Sequence, residues 1–77
     1  MTEYIKVKSG GFKRPRTLVY RVERVQSIGL KEGEVIYVYM GRRVRLSNWN
    51  QGWGQQKIIC TGNQFESSRY ELVSVQD

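Results

Sequence analysis

The sequence predicts an all-β domain, and three observations carry that expectation. Val, Ile, Thr, Tyr, Phe and Trp supply 26 of the 77 residues, while alanine is absent and leucine occurs only four times. β-branched and aromatic side chains suit a pleated surface, and helix formers are scarce. Apolar and polar residues alternate over short stretches, the period of a strand with one buried face. Glycines and the single proline cut those stretches to strand length. The chain makes one domain, 1–77, whose core must be thin at this size.

The first strand is expected over Tyr4 to Lys8, with Ile5 and Val7 inward and Lys6 and Lys8 outward. Ser9-Gly10-Gly11 ends it. Phe12-Lys13-Arg14-Pro15-Arg16 then reads as a basic loop, because proline has no N–H to give to a ladder. A long strand from Thr17 to Ile28 puts Leu18, Tyr20 and Val22 on one face, and Val25 falls on the other parity. A bulge is therefore expected near Glu23-Arg24. Gly29 to Gly33 turns the chain, and Glu34 to Met40 returns as a strand apolar on both faces, the pattern of a central strand. Met40-Gly41-Arg42 reads as a tight reversal into Arg43-Val44-Arg45-Leu46, with Val44 and Leu46 inward. Asn48 to Gln56 reads as a polar, glycine-containing loop. Lys57 to Thr61 is the next strand, Gly62-Asn63-Gln64 a turn, Phe65 to Arg69 one 3₁₀ turn, and Tyr70 to Val75 the last strand. Neither an internal repeat nor a linker is visible.

Thirteen Lys and Arg against seven Asp and Glu give a net charge of +6, a balance that favours polyanionic partners. The signs are segregated. Tyr4 to Val22 holds six cations and no acid, and Val35 to Phe65 holds Arg42, Arg43, Arg45 and Lys57, again with no acid. That arrangement excludes mimicry of DNA by an acidic surface. The apolar content is too high for a disordered tail, and no apolar run approaches the roughly 18 residues of a membrane-spanning helix. No basic head with an apolar run opens the chain, so a cytoplasmic protein is expected.

Five or six short antiparallel strands, an early irregular loop and a one-turn connector before the final strand resemble the SH3-like small β-barrel. The ending Phe65-Glu66-Ser67-Ser68-Arg69-Tyr70-Glu71-Leu72-Val73 is similar to the aromatic anchor, short turn and last strand that finish many such barrels. The resemblance implies a small closed barrel, an arrangement that leaves no exposed sheet edge. An OB-like barrel is the rival, although it usually carries a helix between its third and fourth strands. Within the SH3-like superfamily, proline-peptide binders have an acidic early loop, whereas this loop reads Lys13-Arg14-Pro15-Arg16. Cages for methylated lysine need a carboxylate, and none occurs between Leu46 and Gly62. The superfamily's nucleic-acid-binding and protein-docking uses remain.

Trp49 and Trp53 sit four residues apart among Asn, Gln and Gly, where they serve either as stacking platforms for unpaired bases or, in one case, as a cap on the barrel's open end. Arg43, Arg45 and Lys57 would meet phosphates beside them, and Lys13, Arg14 and Arg16 would do so from the early loop. Tyr39, with Tyr37, either extends that surface or packs across strands. Cys60 reads as a buried small hydrophobe. The chain has no histidine, its only aspartate is Asp77, and no glycine-rich loop ends in Gly-Lys-Ser/Thr, so neither enzyme action, a cofactor nor a metal is expected. The expected function is a binding module for nucleic acid, single-stranded DNA or RNA in particular, since no recognition helix is available for a major groove. The alternative is a small adaptor or inhibitor docking on the acidic surface of a larger protein, with a viral or mobile-element accessory factor among the candidates. Monomer and homodimer are both compatible with the sequence.

Overall fold

In the computed structural model, β1 (Thr2–Ser9), β2 (Arg16–Lys31), β3 (Glu34–Arg45), β4 (Asn48–Thr61) and β5 (Tyr70–Val75) form one antiparallel sheet. Their spatial order is β4-β3-β2-β1-β5, and a 3₁₀ turn, Gly62–Glu66, lies between β4 and β5. The structure describes residues 1–45 and 48–76, with the side chains at 30 and 48–51 left aside. Among the described residues there is no α-helix, and no helix long and apolar enough to cross a membrane. The expected all-β class, the antiparallel pairing and the 3₁₀ turn before the last strand are all present. The ladder does not close into a barrel: β4 and β5 are the two edges of the sheet.

Two local expectations are corrected. Met40-Gly41-Arg42 is not a reversal, because β3 runs unbroken from Glu34 to Arg45. Gly41 is there for close approach: a Cβ at this position would run into the Arg21 carbonyl oxygen on β2. Asn48 to Gln56 is not a loop either, but the first part of β4, which continues through Lys57 to Thr61. Its pairing with β3 slips between Tyr39 and Met40, between Gly41 and Arg43, and between Val44 and Arg45. These irregularities accommodate a polar, glycine-bearing sequence that has no clean two-residue alternation. The 3₁₀ turn starts three residues earlier than expected, where the Gln64 side chain accepts the Thr61 N–H at 2.8 Å. Leu46 lies outside the described residues.

The expected bulge in β2 is present, between Val22 and Arg24. It divides the strand. Its first part pairs with both β1 and β3, whereas its last part pairs with β3 alone as a two-stranded ribbon. Register through the wider part is regular, and opposed residues share a face. One row crosses all five strands as Leu72, Ile5, Tyr20, Arg43 and Trp53. Ile5 and Tyr20 in this row are buried, as is Cys60 on β4. With no second layer to cover them, such burial requires the sheet to curl on itself. The opposite face carries a second cluster, Tyr4, Val19 and Val44, with Val75 packed against it. Tyr4 therefore belongs to the core, a placement that Ile5 and Val7 inward did not foretell.

Gly41→Ala should destabilise the domain by at least about 2 kcal/mol, since the added carbon meets the Arg21 backbone carbonyl, which cannot move aside, as well as the Ile59 side chain. Gly11→Ala, where nothing lies within 4 Å of the added carbon, should cost far less. Urea midpoints of the two variants check this; equal midpoints would contradict the close approach at Gly41.

Candidate nucleic-acid interface

Trp53 is the centre of one cluster. Cross-strand pairing sets it opposite Arg43, and Arg45 follows two residues along β3 on the same face. Both guanidinium groups lie over the indole, at 5.4 Å for Arg43 and 5.6 Å for Arg45 from the ring centroid. These are cation–π distances, and guanidinium in this position keeps its N–H donors available at the ring's border. Trp53 nonetheless keeps 42% of its surface exposed. Gly54 follows in the left-handed region at φ +83°, which a side chain rarely adopts, so the local backbone depends on glycine there. A shallow cleft beside the indole is lined by Thr17, Leu18, Val19, Arg43, Val44 and Arg45. Lys57 joins the same face through another ring: its ammonium lies 5.0 Å from the Tyr20 centroid.

The basic loop is a built turn. The Arg14 N–H donates to the Gly11 carbonyl at 3.3 Å, which places Phe12 and Lys13 at the two corners. Gly10, at φ +87°, packs its α-carbon so close to the Arg14 carbonyl that a Cβ would not fit. Pro15 then holds the chain extended into β2. At the same end of the sheet, the Lys8 N–H donates to the Arg69 carbonyl at 2.8 Å and brings the connector before β5 beside the loop. The result is a cleft whose walls include Phe12 and Pro15 and whose cations are Lys8, Arg16 and Arg69. It meets the Trp53 cleft at Thr17, which lines both. Neither lining contains a carboxylate.

The structure thus brings Arg43, Arg45 and Trp53 into contact, sets Lys57 on Tyr20, and leaves Lys13, Arg14 and Arg16 exposed on and just after the turn. Tyr39 is engaged elsewhere, its ring edge-on to Phe65 at 4.9 Å. Burial, and then the Glu3 carboxylate, Cys60 and Tyr37, push its hydroxyl pKa up. Trp49 lies within β4, but its side chain is outside the described residues. Tyr20, Lys8, Arg69 and Phe12 were not singled out from the sequence. Tyr20 is expected in the core, where it also lies, and the other three line one cleft because β1 pairs with β5 and the 11–14 turn carries Phe12. Arg21 and Arg42 both reach Glu23 Oε1, each at 3.3 Å. Arg42 is thereby separated from Arg43, its neighbour of opposite parity.

Among the described residues no group of three or more His, Cys, Asp and Glu side chains is placed to hold a metal. Cys60 is buried, and burial pushes its thiol from the ordinary 9.0 up to about 11. Such a thiol is neutral and unreactive at physiological pH. Compared with known proteins, the chain matches no family model, no curated protein and no solved structure.

Cys60 gives a pH prediction. Because its folded pKa is the higher one, its contribution to stability is complete below pH 9 and is lost as the pH rises towards about 11, where the unfolded chain has already released the proton. Between about pH 8 and about pH 10.5 the wild type should lose about 2 kcal/mol more than Cys60→Ala, measured by urea unfolding. Equal losses would contradict a buried neutral thiol.

Proposed function

We propose that the chain is a non-enzymatic module of SH3-like strand order that binds single-stranded DNA or RNA. The SH3-like assignment draws on the order β4-β3-β2-β1-β5, in which four strands meander and the fifth returns beside the first, and on the 3₁₀ turn before β5. The functional reading rests on one observation: a half-exposed indole under two arginines, in a cleft free of carboxylates and continuous with a cationic loop. Stacking of a base on Trp53 and transfer of Arg43 and Arg45 from the indole to phosphates use the same side chains in two arrangements. A base supplies the π-face and the phosphate supplies the charge, so the exchange leaves neither partner unsatisfied. Lys57, Lys13, Arg14 and Arg16 add salt-sensitive contacts along the backbone. The absence of histidine from the sequence supports binding over acid–base catalysis.

Docking on a larger protein is a second reading, and a different region favours it. Val25, Ile28, Val35 and Tyr37 are exposed on the two-stranded ribbon formed by the end of β2 and the start of β3. A protein partner that covers this ribbon would bury apolar area without touching the arginines.

Titration of single-stranded oligonucleotides at two salt concentrations, followed by tryptophan fluorescence, tests the first reading. Binding should quench the fluorescence and weaken steeply with salt, and Arg14→Glu with Arg16→Glu should lower affinity at least tenfold. A titration silent at low salt, or an unchanged affinity in the double variant, would overturn it.

A further inference from the structure

We infer that Phe12 is a second stacking platform, so that the module takes a strand of several nucleotides at two separated aromatic positions; this rests on the single-strand reading above. Phe12 is fully exposed, an unusual state for a large apolar side chain in so small a protein. Its exposure is built into the loop. The turn that sets Phe12 at a corner is closed by the Arg14 to Gly11 hydrogen bond, and Gly10 in the left-handed region lets that turn approach the end of β1. The cleft that Phe12 lines also holds Lys8, Arg16 and Arg69, with Lys13 and Arg14 on the turn itself, and no carboxylate lines it. An aromatic face bordered by cations suits a base with its phosphates, as at Trp53.

The spacing between the two rings sets the ligand's length. From Arg16 to Tyr20 the chain advances about 13 Å along β2, and from Tyr20 across Arg43 to Trp53 two strand spacings add about 10 Å at right angles. The direct path from Arg16, at the foot of the loop that carries Phe12, to Trp53 is about 16 Å, so at the stacked rise of 3.4 Å roughly five or six nucleotides reach from Trp53 to that loop. The clefts meet at Thr17, so a continuous strand can follow this path without crossing an acidic residue of either lining. Duplex DNA, with its bases already stacked on one another, offers neither ring a free face.

A length series of oligothymidylates, from two to eight nucleotides, separates this inference from the reading beneath it. Affinity of the wild type should rise steeply up to about five or six nucleotides and little beyond. Phe12→Ala should bind the dinucleotide like the wild type but lose about fivefold or more on the hexanucleotide, with an unchanged urea midpoint because the ring packs on nothing. If Phe12→Ala binds every length like the wild type, the second platform is overturned while the Trp53 site stands. If the wild type binds no oligothymidylate at low salt, the single-strand reading itself fails. A wild-type protein that sediments with anionic phospholipid vesicles through Phe12, and shows no length dependence on oligonucleotides, would likewise overturn the inference and reassign the loop to a membrane surface.

Discussion

The row Leu72–Ile5–Tyr20–Arg43–Trp53 is the constraint on which the other features depend. Its middle is buried, with Ile5 fully enclosed between β5 and β2 and Tyr20 beside it, and this fixes the register of the three strands it touches. A slip of one residue would expose Ile5 and turn Tyr4 to the wrong face, so the two clusters on opposite faces hold the same alignment. Once that register is set, Arg43 must share a face with Tyr20, and Trp53 must lie beside Arg43. The Arg43–Trp53 end of the row is thus positioned by the burial of Ile5 and Tyr20. Lys57 over Tyr20 covers the point where the core gives way to the cationic surface.

Charge is arranged by the same alternation. Arg42 points to the face where Glu23 sits and shares that carboxylate with Arg21, while Arg43 and Arg45 point to the opposite face, over Trp53. Surface ion pairs of this kind add little stability. Their effect is to sort arginines that are neighbours in sequence into a carboxylate-paired set and an indole-stacked set. The sequence-level segregation of acids and bases therefore becomes spatial: the clefts at Phe12 and Trp53 hold cations and rings, whereas Glu32 and Glu34 stand at the far end of the β2–β3 ribbon.

Strands whose alternation is clean were legible from sequence: Ile5 and Val7 in β1, the bulge after Val22, and Tyr70 to Val75 all lie where local pattern puts them. Gly41 misled because a glycine between two strand-like stretches is a turn signal, and only the neighbouring strand reveals that the missing side chain makes room for the Arg21 carbonyl. Asn48 to Gln56 misled for a related reason. Asn, Gln and Gly have low strand propensity, yet pairing with β3 satisfies their backbone and overrides it. At the candidate site, the types of residue were readable but their pairing was not. Arg43 and Arg45, ten and eight residues before Trp53, lie over its ring because β3 and β4 pair side by side. Phe12, Lys8 and Arg69 share a cleft because the last strand pairs with the first and the 11–14 turn lies at the same end, a long-range pairing that has no signature in the sequence.

The central claim is that Arg43 and Arg45 sit on Trp53 in the free protein and leave it for phosphate when a strand binds. Ring currents of the indole make this directly measurable by NMR. The side-chain protons of both arginines should be shifted upfield in the free protein and should return towards ordinary positions as a saturating oligonucleotide is added. Arginine resonances without a ring-current shift in the free protein, or shifts that persist when an oligonucleotide is fully bound, would contradict the account.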